Sequence, residues 1–157
     1  FTNIEKPLVC KGGTSTDGWS SCYQADIRNV KGLQCVGYYA CYLARIENIT
    51  DQQLTCNSTS SGQLACYNAK IYGGSNLKVT CAGYGGCWDA KFYDVQSVTC
   101  GGLSNYNCFT AKFASNNGKY DVKCLSTSGY LACAQMTCNY QNIGGTSRPK
   151  RSSFTSC

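Results

Sequence analysis

The residues best equipped for chemistry in this sequence are its fourteen cysteines: Cys10, Cys22, Cys35, Cys41, Cys56, Cys66, Cys81, Cys87, Cys100, Cys108, Cys124, Cys133, Cys138 and Cys157. A cysteine can act as a nucleophile, a metal ligand or half of a cystine, and the first two roles need particular neighbours. The sequence has no histidine, which removes Cys-His and Ser-His-Asp catalysis and every imidazole metal site. Pairs such as Cys35/Cys41 and Cys81/Cys87 have five residues between them, unlike the C-x2-C knuckles of zinc ribbons. No metal or other cofactor is expected. Cystine is what remains, and fourteen cysteines in 157 residues is the density of a disulfide scaffold. Cystines persist in an oxidising compartment, so the chain is expected to be secreted, extracellular or at a cell surface. It starts at Phe1 without a basic and apolar leader, which reads as a mature product or a cut fragment.

Other chemistry-bearing residues are thinly spread. The eight carboxylates, Glu5, Asp17, Asp26, Glu47, Asp51, Asp89, Asp94 and Asp121, form no paired cluster of the kind that glycoside cleavage or Ca²⁺ binding requires, so no enzyme is expected. The formal net charge is +6, and three of the fourteen basic residues, Arg148, Lys150 and Arg151, sit in the C-terminal tail. The remainder is too diffuse for a nucleic-acid footprint. No apolar run approaches the roughly 18 residues of a membrane span. Asn48-Ile49-Thr50 and Asn57-Ser58-Thr59 are N-glycosylation sequons, which in a secreted chain point to glycans on Asn48 and Asn57.

These residues are positioned by a repeat. Aligning each L/V-x-Cys with the following Cys-x-x-Ala divides the chain into units that run from Cys10 to Cys22, Cys35 to Cys41, Cys56 to Cys66, Cys81 to Cys87, Cys100 to Cys108 and Cys124 to Cys133. Each unit holds two short β-prone pieces joined by a Gly/Ser/Asn-rich loop. The second piece reads Cys-aromatic-x-Ala-charged-Ile/Phe. Strict alternation along it puts the aromatic, the Ala and the Ile/Phe on one face and the charged residue on the other.

A unit of about 22 residues cannot bury its own apolar face, but stacked copies can. We therefore expect an all-β fold: a disulfide-stapled β-solenoid, or parallel β-helix, of about six coils spanning 8–138. A segment 1–7 precedes it and a tail 139–157 follows. Tyr23, Tyr42, Tyr67, Trp88 and Phe109 would form an aromatic column packed in the core. Ala25, Ala44, Ala69, Ala90 and Ala111 would run beside it, then Ile27, Ile46, Ile71, Phe92 and Phe113. The final unit interrupts these columns with Ala134, Met136 and Cys138. A run of small disulfide-linked modules is the competing architecture.

In its repeat period and in-phase columns, from Leu8 to Cys138, the chain resembles cysteine-rich parallel β-helix proteins of cell surfaces. That resemblance implies adhesins, surface fibres, ice-binding proteins or polysaccharide-active enzymes, and leaves the choice among them open.

Two cystine schemes fit the spacing. Pairing within a unit spans 5 to 11 intervening residues and staples the variable loop. Pairing each second cysteine with the next unit's first, as in Cys22 with Cys35, spans 13 to 16. The loop staple is preferred because it tolerates loop variation while leaving the coil geometry alone. Cys138 and Cys157 would pair with each other, or Cys157 would bond a second subunit.

Outward along the repeats lie Asp26, Arg45, Lys70, Lys91 and Lys112. Lys70, Lys91 and Lys112 are the ligand-contact candidates, a basic strip for sulfated or uronic-acid glycans. Loop aromatics Trp19, Tyr38, Tyr39, Tyr84, Tyr106 and Tyr130 are further contact residues. Thr55, Thr80 and Thr99 recur at the middle of L/V-x-Cys, a short version of the threonine array that ice binding would need.

Open strand edges at the two ends of a solenoid favour addition of a neighbour. The expected function is accordingly a secreted structural protein that stacks head to tail into a filament, a homopolymer. Phe1, Ile4, Phe154 and Cys157 are its subunit-contact candidates. The alternative is a monomeric adhesin or carbohydrate-binding module.

Overall fold

The computed structural model describes residues 1–13, 20–59, 64–73, 76–102, 106–114, 121–126, 133 and 135–139. Among them are strands β1 (Thr2–Ile4), β2 (Leu8–Lys11), β3 (Asp26–Val30), β4 (Leu33–Val36), β5 (Arg45–Ile49), β6 (Gln53–Asn57), β7 (Lys70–Tyr72), β8 (Lys78–Ala82), β9 (Lys91–Tyr93), β10 (Ser97–Gly102), β11 (Lys112–Ala114), β12 (Asp121–Ser126) and β13 (Thr137–Asn139). The odd-numbered strands form one sheet in the order β1-β3-β5-β7-β9-β11-β13, and the even-numbered strands form the other, β2-β4-β6-β8-β10-β12. Every strand pair is parallel. The chain alternates between sheets with each strand, which is the winding of a β-solenoid.

Register follows the repeat read from sequence. In the six-stranded sheet Cys10, Cys35, Cys56, Cys81, Cys100 and Cys124 lie opposite one another in succession. In the seven-stranded sheet Ile27, Ile46, Ile71, Phe92, Phe113 and Cys138 do the same. Slipping any strand by one residue would turn a whole apolar set to solvent, so these columns fix the pairing. Leu33, Leu54, Val79, Val98 and Val122 of one sheet and Ile27, Ile46, Ile71, Phe92 and Phe113 of the other are all buried in one core cluster. Phe92 and Phe113 stack with ring centroids 4.8 Å apart.

The disulfides are those of the within-unit scheme: Cys10–Cys22, Cys35–Cys41, Cys56–Cys66, Cys81–Cys87, Cys100–Cys108 and Cys124–Cys133. They lie inside the coil, and the eight central half-cystines from Cys35 to Cys108 are fully buried. They therefore fill a column of the core as well as closing loops.

Each second cysteine opens a four-residue turn, closed by the Ala N–H donating to the Cys carbonyl at 3.2 Å in five successive units. The third residue of that turn is left-handed in every unit: Gln24, Leu43, Asn68, Asp89, Thr110 and Gln135 have φ between 51° and 57°. Its N–H reaches the carbonyl of the aromatic residue one coil on, as in Leu43 to Tyr67 at 3.0 Å and Asn68 to Trp88 at 3.0 Å. The turns thus stack by the same hydrogen bonding as the strands. Close stacking also selects glycine in the loops. Gly83 has φ +73°, and a Cβ there would collide with the Ser58 carbonyl of the preceding coil.

The N-terminal segment, expected to lie before the first coil, supplies β1 to the sheet itself. Phe1 N donates to the Asp26 carbonyl at 2.7 Å, and Arg28 N donates to the Phe1 carbonyl at 2.8 Å. It covers its own solenoid rather than reaching away. Cys157, Phe154 and the rest of the tail from 140 onward lie outside the described residues, so the Cys138–Cys157 pairing is not addressed by the structure.

Because each staple closes a short loop and fills core volume, removing one should be costly. The double substitution Cys56→Ala/Cys66→Ala is expected to lower unfolding free energy by about 2 to 3 kcal/mol. Urea denaturation without reductant measures this, and an unchanged midpoint would show that the staple carries no load.

Candidate functional site

The buried sulfurs come closest to one another of any chemistry-bearing atoms. The Sγ atoms of Cys35, Cys41 and Cys66 lie within 4.8 Å of one another, as do those of Cys81, Cys87 and Cys108. In both groups two of the three sulfurs already form a disulfide and the third is bonded to another cysteine. No thiolate is available there to hold a metal. These groups are successive disulfides stacked coil on coil.

Side chains that can meet a partner lie on the outer faces. On the seven-stranded sheet the column Asp26, Arg45, Lys70, Lys91, Lys112 is in register, so the three lysine candidates are brought side by side as expected. A second outward column, two residues further along each strand, is Arg28, Glu47, Tyr72, Tyr93 and Ala114. The repeat contained it, one residue after each Ile/Phe, but its mixed chemistry hid it.

The two columns neutralise each other in the N-terminal coils. Arg28 forms a fork with Asp26, at 2.8 and 2.7 Å, and reaches Glu47 at 2.9 Å; Arg45 meets Glu47 at 3.0 Å. The hydrogen bond from Arg28 holds the Asp26 carboxyl below its usual range, and the same bond raises Arg28. Arg45 also lies 4.9 Å above the Tyr72 ring, a cation–π contact. Tyr72 stacks on Tyr93 with centroids 4.6 Å apart. A shallow cleft of about 450 Å³ opens among Arg28, Asn29, Glu47, Asn48, Tyr72 and Gly73.

The aromatic column departs from expectation. Tyr42, Tyr67, Trp88 and Phe109 are half-buried, and Tyr23 is 48% exposed, so they do not pack in the core. The left-handed residue between each aromatic and its Ala is the reason. It breaks the alternation, so the Ala turns inward while the aromatic stays on the outer corner beside the disulfide. There the five are joined by loop residues Tyr38, Tyr39, Tyr84 and Tyr106 in one ribbon of touching rings. Its contacts include Tyr42–Tyr67 at 5.3 Å, Tyr67–Trp88 at 6.1 Å and Trp88–Tyr106 at 5.1 Å. Burial in this ribbon raises the Tyr39 hydroxyl above its usual value. Trp19 and Tyr130 lie outside the described residues.

On the six-stranded sheet Thr55, Thr80 and Thr99 are adjacent in register, flanked by Gln34 and Lys123. Asn48 is exposed near the C-terminal end of β5, with φ 56°, and Asn3, Asn29 and Asp94 are left-handed at the equivalent positions. Its side-chain amide donates to Asn29 Oδ1. Asn57 is half-buried at the end of β6. No described helix is long and apolar enough to cross a membrane.

No protein-family model, curated protein or solved structure matches the chain. The surfaces must be interpreted from their own chemistry.

Two outcomes follow from this geometry. Gln24 is exposed and left-handed, so Gln24→Gly should stabilise the fold and Gln24→Val should destabilise it, each by about 1 kcal/mol; opposite signs in thermal unfolding would contradict the turn. Asp26 has a folded pKa below its unfolded one, so its contribution is complete above roughly pH 4 and fades as pH falls through the depressed value. NMR titration should find Asp26 below the ordinary carboxylate range and Arg28→Ala should return it there; an ordinary value in the intact protein would mean that the fork does not form in solution.

Proposed function

We propose that the protein is a secreted structural subunit that stacks head to tail into an extracellular or cell-surface filament. One observation carries this reading: among the described residues, several apolar side chains of the end coils are less covered than their counterparts in the middle coils. Leu33, Leu54, Val79, Val98 and Val122 are buried, yet Leu8 at the N-terminal end of the same column is only partly covered. The same holds for Ala25 against Ala44, Ala69, Ala90 and Ala111, and for Cys124 and Cys133 against the central half-cystines. All four large apolar side chains exposed among the described residues belong to the end coils: Phe1, Val9 and Tyr23 at one end and Leu125 at the other.

Among the described residues β1, β2, β12 and β13 are the edge strands, and an edge strand offers N–H and C=O groups to a further strand. A second copy presents what is missing, because its opposite end continues the same parallel ladder and the same columns. Such a contact is heterologous and does not close, so it propagates. Phe1 and Ile4 lie at one face of this joint, and the tail with Phe154 and Cys157 is assigned to lock it. The stacked cystines favour an oxidising, extracellular site, where glycans on Asn48 and Asn57 would be compatible with the outer surface.

Electron microscopy of the purified, oxidised protein tests this. Filaments are expected with an axial repeat of about 30 Å, the height of six to seven strands spaced about 4.8 Å apart. Dispersed monomers across a wide concentration range would overturn the reading.

A further inference from the structure

Charge on the outer face of the seven-stranded sheet is sorted along the solenoid. In the first coils both arginines meet carboxylates, Asp26 and Glu47. Further along, Lys70, Lys91 and Lys112 follow one another in register, and among the described residues none of them makes an ion pair. Like charges at neighbouring sheet positions repel, so this half of the face is held ready for an anion while the other half is already neutral.

The adjoining column adds a second recognition element. Arg45 covers one face of Tyr72 and Tyr93 covers the other. Tyr93 is different. Its next neighbour in register is Ala114, whose methyl leaves a step in the column, and among the described residues no second ring or cation contacts the phenol. A pyranose ring placed on that step would lay its C–H face on Tyr93, while an acidic substituent reaches Lys91 or Lys112. The strip runs along the solenoid axis, across the strands, so an extended chain meets a new ammonium about every 4.8 Å.

We propose that Lys70, Lys91, Lys112 and Tyr93 form a binding site for an acidic polysaccharide, bearing uronate carboxylates or sulfates. A nucleic acid fits less well, since the strip is one column wide and borders the neutral Asp26/Arg28/Arg45/Glu47 network rather than a broad basic surface. The site does not depend on filament formation.

The test uses the full oxidised chain with polygalacturonate, heparin, neutral dextran and a thymidylate homopolymer as probes. Binding to at least one acidic glycan, reversed by salt, is expected, with no binding to dextran. The variant K70Q/K91Q/K112Q should lose about tenfold in affinity, the combined effect of three solvent-exposed ion pairs. The charge-matched variant K11Q/K78Q/K123Q, on the other sheet, should stay near the wild-type value. Y93A should weaken glycan binding while leaving its salt dependence unchanged. Circular dichroism and the non-reducing unfolding midpoint check that each variant is folded. Equal losses in the two triple variants, thymidylate bound as tightly as the glycans, or no binding of either acidic glycan would overturn the proposal.

Discussion

The structure depends on parallel stacking of coils in strict register. A coil of about twenty residues encloses too little apolar surface to exclude water alone. Its stability comes from the coil above and the coil below, through backbone ladders and through side chains that meet their own counterparts. This requirement makes position within the coil decisive. Cysteine faces cysteine, isoleucine faces isoleucine, and the left-handed turn residue sits beside other left-handed turn residues. An outward residue type is likewise repeated into a strip, and this is how short strands come to carry extended surfaces.

The cystines follow from the same constraint. Space between the sheets is narrow, filled by Leu, Val, Ile and small residues with two phenylalanines, and a buried disulfide supplies apolar volume together with a loop closure. Stapling Cys35 to Cys41 leaves a five-residue loop and stapling Cys10 to Cys22 a longer one, yet the Cα–Cα distances are 5.7 and 5.8 Å. Loop length varies at no cost to coil geometry. That separation lets the corner evolve surface chemistry, including the aromatic ribbon, while the ladder behind it stays fixed.

The sequence made the ladder legible because the columns repeat residue types: L/V-x-Cys and Ala-charged-Ile/Phe align by inspection, and the spacings between repeats equal the strand registers. The aromatic column lies on the outer corner rather than in the core for a specific reason. Strict alternation is a rule for extended backbone, and the residue between each aromatic and its Ala is left-handed. Asn68 and Asp89 hint at this, since short polar side chains tolerate that conformation, but Gln24, Leu43 and Thr110 carry no such signal. The Arg28 to Ala114 column is in the repeat but is not legible from sequence, because its members share no chemical type. What joins them is register and the contacts between neighbours, Arg28 with Glu47 and Tyr72 with Tyr93, which only the fold supplies.

Stacking also links the two functional readings without making either depend on the other. If subunits add end to end, the outer face of the seven-stranded sheet becomes periodic, with a salt-bridged neutral stretch and a lysine stretch alternating at each subunit length. A single three-lysine strip holds an acidic chain weakly, because exposed ion pairs contribute little each. Repeated along one axis, such strips present the same polymer with many equivalent sites, and linked sites bind with an effective concentration that a monomer cannot offer. The neutral stretch has a role in that arrangement as well: with Arg28 and Arg45 paired to Asp26 and Glu47, cationic strips are kept apart, which limits repulsion between adjoining subunits at the joint.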